Sequence, residues 1–450
     1  MTSYRAASAG ANGRSSIGIV AFASLIGTTI EWYDFFLYGT AAALVFNKLF
    51  FPNVDPLLGT MAAFATYAVG FFFRPVGGIV IGHYGDRIGR KSMLVLTLMI
   101  MGIATFIIGL LPTYNQIGLF AAGALVLLRC AQGFGVGGEW GGAVLMAVEH
   151  APERRRGFYG SWPQMGVPIG LLLSTVVFNI FSSMPQDQFL AWGWRVPFLL
   201  SIVLVLVGVL IRLRLLETPA FMEVKQSGTE ARRPIVDAVR THPKEVLVAM
   251  GARVAENGAF YVFSTFVLVY ATSKAVGLTK GAILDAVSIA ALIEVATIPF
   301  FGWLSDRIGR RPVYLFGAAF VAIFAFPFFL LINTRVTPLV WLAVIGALAV
   351  GHAAMYGPQA SFFSELFGTR VRYSGASLGY QLASVFAGGL SPFIATALLA
   401  ALGMPAVAAY LIVMSLITLV AVWFALETFR GDIDQVRPQE KAVITEREPV

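Results

Sequence analysis

The chemically informative residues of this sequence are the charges that fall inside long apolar runs. Glu31 and Asp34 stand three residues apart in the run 17–46, so both lie on one face of a helix. A lone ionised carboxylate inside a bilayer costs about 2.5 kcal/mol or more. The pair therefore either faces a wet interior and carries or relays a proton, or it pins its helix to a neighbour as a structural ion pair. Arg74, followed by Pro75, sits in the run 58–83, and Arg129 in the run 117–148. An arginine keeps its charge, and its planar fork can hold a carboxylate through two parallel hydrogen bonds. Arg74 is therefore a candidate anion clamp; the alternatives are snorkelling or pairing with Glu139. Arg129 can pair with Asp34 or Glu31, which would link it to a proton path, or it can touch a bound small molecule.

The second half of the chain carries its own set. Arg253 and Glu256 are spaced i, i+3 and can neutralise each other along one helix. Glu294 and His352 are ionisable at depth and can join a proton path or be satisfied by neighbouring groups. Asn257, Tyr261, Gln359, Tyr380 and Gln381 are polar positions in apolar runs, suited with Glu139 to a hydroxyl-rich solute. Metal and nucleotide chemistry find no support. The four histidines (His83, His150, His242, His352) form no close cluster, and Cys130 is the single cysteine. Without a Gly-Lys dipeptide there is no GxxxxGK[ST] phosphate loop, so neither ATP nor another cofactor is expected.

These residues need helices to position them. The chain has 450 residues, 58% hydrophobic and 12% charged, with a mean hydropathy of +0.78. Soluble domains carry about a quarter charged residues. Runs of about 20 residues, the length that crosses roughly 30 Å of hydrocarbon, recur throughout. They predict twelve transmembrane helices near 17–46, 58–83, 92–111, 117–148, 157–182, 194–215, 246–272, 281–304, 312–332, 337–362, 373–401 and 405–427. The sequence thus divides into an N-tail (1–16), a six-helix bundle (17–215), a linker (216–245), a second six-helix bundle (246–427) and a C-tail (428–450). With the amino terminus taken as cytoplasmic, 24 of the 32 Lys and Arg fall on cytoplasmic ends and loops, five fall outside and three lie within helices. The net charge of +8 is then a topology signal that places both termini, the linker and the tail in the cytoplasm. Nucleic-acid binding would require the same residues on one soluble face. A receptor or scaffold would need a further soluble domain, and the polar stretch near 217–243 is too short for one. Three intramembrane arginines argue against export of greasy cations.

The two halves repeat each other. Gly82-His83-Tyr84-Gly85-Asp86-Arg87-Ile88-Gly89-Arg90-Lys91 recurs as Gly302-Trp303-Leu304-Ser305-Asp306-Arg307-Ile308-Gly309-Arg310-Arg311. Glu149, Arg156 and Ser161 likewise recur as Glu365, Arg372 and Ser377. Duplicated six-helix units about an axis along the membrane normal are the architecture of a rocker-type carrier with its site near the midplane. In the repeated loops Asp86 and Asp306 can cap the next helix and pair with Arg90 or Arg310. Together with Arg87 and Arg307 they either fix topology alone or close the cytoplasmic face in one conformational state.

The doubled G-x-x-x-D-R-x-G-R-[KR] loop resembles the signature of the major facilitator superfamily. Within it, Glu31-Trp32-Tyr33-Asp34-Phe35, Phe73-Arg74-Pro75, Gly137-Gly138-Glu139-Trp140-Gly141-Gly142 and Trp192-Gly193-Trp194-Arg195-Val196-Pro197-Phe198 are similar to the metabolite:proton symporters. Gly375-Ala376-Ser377 and Ser391-Pro392-Phe393-Ile394-Ala395 are most like the shikimate permease branch. The resemblance implies the major facilitator fold and proton-coupled uptake of a small organic acid in a bacterial plasma membrane. Relatives in that family also carry α-ketoglutarate, citrate, and proline or betaine, so the solute stays open. Osmosensing members have a long C-terminal coiled coil. The segment after Thr428, broken by Pro438 and Pro449, is too short for one.

Overall fold

The computed structural model describes residues 17–88, 90–137, 139–149, 151–214, 239–367 and 372–429. Among them there is no strand, and twelve long helical elements account for nearly all of the described residues. In the first half these are α1 (Ile17–Ala41), α2 (Pro56–Ile88), α3 (Arg90–Leu110), α4 (Leu119–Val136, resuming at Trp140–Glu149), α5 (Arg156–Ser182) and α6 (Arg195–Arg214). In the second they are α7 (Pro243–Thr272), α8 (Lys280–Ile308), α9 (Arg310–Asn333), α10 (Thr337–Leu366), α11 (Arg372–Ala383, continuing to Leu402) and α12 (Met404–Trp423). Nine of these are long and apolar enough, among the described residues, to cross a bilayer on their own, and α6 forms a tenth span with the bent segment before it. Outward residues such as Phe316, Ile323 and Leu330 on α9 are exposed and apolar, as a lipid-facing surface requires.

Backbone geometry repeats with the sequence. A π turn at Ala42–Phe46 extends α1, and another at Val262–Phe266 lies 220 residues on, within α7. The same offset relates the ends of α2 and α8, at Ile88 and Ile308. Two further π turns, Gly346–His352 in α10 and Ser384–Gly389 in α11, lie in the second half. Such turns widen a helix by one residue and turn side chains off the regular stripe, which is why they gather at functional sites.

The halves meet along α5 with α8 and α2 with α11, and through ring contacts between α1 and α7. Within the first half, α2 and α4 approach so closely that a Cβ on Gly133 would collide with the Gly70 carbonyl oxygen. That approach sets the distance between the helices bearing Arg74 and Arg129. Gly133→Ala should therefore cost about 1–3 kcal/mol by overpacking and lower the thermal midpoint of the purified protein. Gly123→Ala in the same helix, where a Cβ meets nothing within 4 Å, should leave it unchanged or raise it. Equal midpoints for the two variants would refute this account of the α2–α4 contact.

Candidate functional site

Two helices of the first half, α2 and α4, place their arginines around one ring of α1. The Arg74 guanidinium lies 4.3 Å from the Phe35 centroid and 4.3 Å from Phe71, and the Arg129 guanidinium lies 4.1 Å from the same Phe35. Aromatic faces attract these cations while leaving their N–H edges available. Both arginines are buried. Arg74 Nε and Nη2 have no hydrogen-bond partner among the described residues. Arg129 is more occupied: Nη1 donates to Gln132 Oε1 at 3.0 Å and Nε donates to the Tyr67 carbonyl at 3.3 Å.

The expected direct pairing of Arg129 with Asp34 or Glu31 is not formed among the described residues. Gln132 Nε2 instead donates to the Thr105 hydroxyl at 2.7 Å, and that hydroxyl neighbours the buried Asp34 carboxyl. Arg129, Gln132 and Thr105 are thus linked across α4 and α3, and the chain stops beside Asp34 on α1, whose two carboxyl oxygens have no hydrogen-bond partner among the described residues. Glu31, the other acid on the α1 face, lies one turn away and lines a cavity.

That cavity sits between the halves. Glu31, Arg74 and Glu139 supply its charges, and Gln164, Tyr380 and Gln381 supply amide and hydroxyl groups. It is contracted, with room for about one water molecule. Trp140 and Tyr380, one from each half, stack at 3.8 Å over it, and Trp140 Nε1 donates to Gln164 Oε1 at 3.1 Å. Gln381 Nε2 crosses to the Gly137 carbonyl at 3.0 Å, leaving its Oε1 unpartnered among the described residues. Tyr261 lies by the Phe71 ring at 5.4 Å, and Asn257 is buried near it with Oδ1 unpartnered among the described residues.

A second cluster lies deeper in the C-terminal half. Arg253 Nη1 meets Glu256 Oε2 at 2.7 Å, so the expected i, i+3 pair is present. Gln359, expected to face the solute, is instead consumed here. Its Oε1 accepts from Arg253 at 2.9 Å, and its Nε2 faces Glu256 Oε2 and the Tyr314 hydroxyl, each at 2.9 Å. His352 stands between two acids, with Nδ1 hydrogen-bonded to Glu294 Oε1 and Nε2 3.2 Å from Glu256 Oε1. The Arg253 guanidinium lies 3.2 Å from the Tyr380 centroid, which joins the cluster to the cavity.

At the end of the molecule that carries the repeated loops, Asp306 bridges the halves. Its two oxygens accept from the backbone N–H groups of Gly157 and Phe158 in the first turn of α5, at 2.8 and 2.9 Å. Arg310 Nη1 holds the same carboxylate at 2.7 Å, and its Nη2 reaches Glu365 Oε1 at 3.0 Å. Gly309, at φ 108°, makes the tight turn between α8 and α9 that aims these groups, a conformation that glycine adopts without strain. Arg307 is exposed and lies over Trp303 of its own helix, apart from this bridge. The side chains of Asp86, Arg87 and Arg90 lie outside the described residues, so the first-half counterpart is not described. At the opposite end, Asn179 Nδ2 of α5 donates to Asp285 Oδ1 of α8 at 2.7 Å, so the halves also touch there.

Several site residues were missed by sequence reasoning. Thr105 carries no charge and no motif, Gln132 stands with Gly133 beside Arg129 in a segment similar to the metabolite:proton symporters but has no role assigned from sequence, and nothing in the sequence places α3 beside α1. Trp140 lies inside the Gly-rich segment 137–142, where its ring has no signal separating it from a packing residue. Glu365 was visible as a repeat position, and its pairing with Arg310 was the unread part of that signal.

Twelve helices in two repeated sets, with buried charges converging between them, define a membrane carrier. The chain belongs to the Major Facilitator Superfamily, whose description matches residues 24–388 and 260–448, and it is a multi-pass membrane transporter of that superfamily. It is similar to the Shikimate transporter of Escherichia coli (strain K12), 46% identical over 384 residues that cover 84% of this chain and 87% of that one. It is also similar to the Glycine betaine/proline/ectoine/pipecolic acid transporter OusA of Dickeya dadantii (strain 3937), 38% identical over 92% of this chain and 84% of that one. Among solved structures, the proton:xylose symporter XylE bound to 6-bromo-6-deoxy-D-glucose shares the fold, with a TM-score of 0.73 and 19% identity over 95% of this chain and 98% of that chain.

Proposed function

We propose that the protein is a proton-coupled symporter that imports a small organic acid, shikimate or a related carboxylate, across a bacterial plasma membrane with both termini cytoplasmic. Residues 17–215 and 246–427 are the two bodies that rock about the cavity, joined by the linker 216–245. The observation that carries the reading is Arg74, a buried cation at the interface of the halves with two guanidinium nitrogens unpartnered among the described residues. A carboxylate presents the two acceptors that such a fork matches. Glu31 and Glu139 line the same cavity, so an incoming anion is favoured only when a carboxyl in or beside it is neutralised. Proton binding and anion binding are thereby linked. Asp34, assisted by Glu31 and answered by Arg129 through Gln132 and Thr105, is the coupling acid. Asn257, Tyr261, Tyr380, Gln381 and Glu139 address the solute's hydroxyl groups.

A zwitterionic osmolyte is the second reading, because two tryptophans and two acids suit an ammonium head group. Both tryptophan rings are already occupied, Trp32 by Arg74 at 5.3 Å and Trp140 by Tyr380 at 3.8 Å, which favours the acid. Uptake into proteoliposomes of shikimate, α-ketoglutarate, citrate, proline and betaine under imposed pH gradients tests the proposal. Shikimate or another carboxylate should accumulate when the outside is acid. Accumulation of proline or betaine alone would overturn the acid assignment, and accumulation indifferent to pH would overturn the coupling.

Asp306 and Arg310 act as the cytoplasmic latch in this reading. Asp306→Ala removes two charge-assisted hydrogen bonds to α5, each worth about 1.5–3 kcal/mol. The halves should then part more often at that end. A cysteine placed at Ser161, in a background with Cys130 replaced by alanine, should react with a cytoplasmic-side maleimide at least tenfold faster. An unaltered rate would remove the latch.

A further inference from the structure

The His352 cluster has no role in the coupling through Asp34, yet its hydrogen bonds fix how many protons it holds. A neutral imidazole has one N–H and one bare lone pair. Here both ring nitrogens face carboxylate oxygens, Nδ1 on Glu294 and Nε2 on Glu256. Two deprotonated acids and a neutral ring would set a lone pair against a lone pair at one of these contacts. Both contacts are satisfied only when the ring is doubly protonated or one carboxyl carries a proton. Either way the three groups hold one proton more than two carboxylates and a neutral histidine.

We propose that Glu256, His352 and Glu294 form a second proton-carrying site, in the C-terminal half, which takes up one proton per transport cycle in addition to the one at Asp34. The inference rests on the symport reading above. Around the cluster, the titratable and charged groups are Arg253 on α7, Tyr314 on α9, Tyr356 on α10 and Tyr380 on α11. Arg253 balances Glu256, so the additional proton balances Glu294 and the cluster is neutral in this closed structure. Phe260 and Tyr356 cover the imidazole at 4.5 and 4.9 Å. Glu294 Oε2 is buried without a hydrogen-bond partner among the described residues and is the free acceptor from which a proton can leave. In the release step the Nδ1–H bond breaks and an O–H bond forms on Glu294. That proton then passes to water when the halves part, leaving a neutral imidazole that donates to Glu256 and a Glu294 carboxylate. Nothing is oxidised or reduced. Loss of the proton leaves one negative charge that only entering water can solvate, so the cluster's proton number follows opening of the carrier. Arg253 on the Tyr380 ring, itself stacked on Trp140, connects this change to the solute cavity.

The test is the steady-state accumulation of radiolabelled shikimate in proteoliposomes against an imposed pH gradient, with the membrane potential held at zero. This ratio depends on the number of coupled protons and not on turnover. Each coupled proton multiplies the ratio by about ten per pH unit. The wild type should show about a hundredfold per pH unit, and His352→Gln and Glu294→Gln should each show about tenfold. A wild-type value of about tenfold, or an unchanged hundredfold in either variant, overturns the proposal. Should neither variant be obtained in folded form, the wild-type value decides. The Asp34 reading fails separately, on Asp34→Asn retaining the wild-type value. If shikimate is not accumulated at all, substrate-free protein decides: nitrogen-15 resonance of His352 must show a doubly protonated ring, or infrared spectra must show a protonated carboxyl that Glu294→Gln or Glu256→Gln removes. Absence of both signals overturns it.

Discussion

Arg74→Lys should raise the half-saturating concentration for shikimate uptake at least tenfold, about 1.4 kcal/mol, with the protein still present in the membrane at near wild-type amounts. The substitution keeps the positive charge, so any long-range attraction of an anion survives. It removes the planar fork and the flat face by which Arg74 rests between Phe35 and Phe71, each 4.3 Å from its guanidinium. A lysine ammonium is a compact, strongly hydrated point charge and cannot make two parallel bonds to a carboxylate while lying on two rings. Arg74→Ala should lose shikimate binding altogether, because it also removes the positive charge from a cavity lined by Glu31 and Glu139. Unchanged affinity in both variants would sink the clamp and return Arg74 to a structural role. The comparison is informative because the three outcomes differ in kind: loss of the fork alone, loss of the charge, or neither.

How much of this could be read from the sequence differs between the fold and the site, for a physical reason. Helix ends were legible to within a few residues, as at α5, expected at 157–182 and found at Arg156–Ser182. Hydrocarbon thickness sets a minimum length, and charges and glycines mark where the chain leaves it. The π turns were not legible, since an i→i+5 step carries no composition of its own. Yet the turn at Gly346–His352 helps place His352 between Glu294 and Glu256. At the site, buried charges announced themselves because a charge in an apolar run is costly wherever it lies. Their partners did not, because sequence spacing says which residues share a helix face and not which helix lies opposite. Arg253 with Glu256 was therefore visible, being on one helix. The contacts of His352, 58 residues from Glu294 and 96 from Glu256, were not. The same limit explains Arg129. Its charge suggested a direct bond to Asp34, whereas the neutral pair Gln132 and Thr105 stands between them.

That intervening pair shapes what neutralising Asp34 should do. Asp34→Asn should reduce shikimate accumulation by about one factor of ten per pH unit of gradient, while exchange of labelled for unlabelled shikimate between equal pools persists. The Asp34 carboxyl is buried on α1 with the Thr105 hydroxyl and Glu31 as its neighbours, and it forms no ion pair among the described residues. When it is ionised, Thr105 can turn its hydroxyl from the Met101 carbonyl, where it now donates at 3.0 Å, toward the carboxylate. Gln132, which donates to that hydroxyl at 2.7 Å, stays as the link to Arg129. When Asp34 is neutral, that demand disappears and the Arg129 charge is felt more strongly on the Arg74 side of Phe35. Since Arg129 and Arg74 both lie within 4.3 Å of that ring, a neutral Asp34 leaves two cations with less nearby negative charge to offset them, and a substrate carboxylate fills the deficit. Asparagine fixes this state at every pH, so binding persists and the proton drops out of the cycle. Gln132→Leu, which cuts the link without touching either charge, should weaken the pH dependence of shikimate affinity in the same direction but less. An Asp34→Asn carrier that concentrates shikimate as steeply as the wild type would place the coupling proton elsewhere. A Gln132→Leu carrier with wild-type pH dependence would show that Arg129 senses Asp34 through space alone.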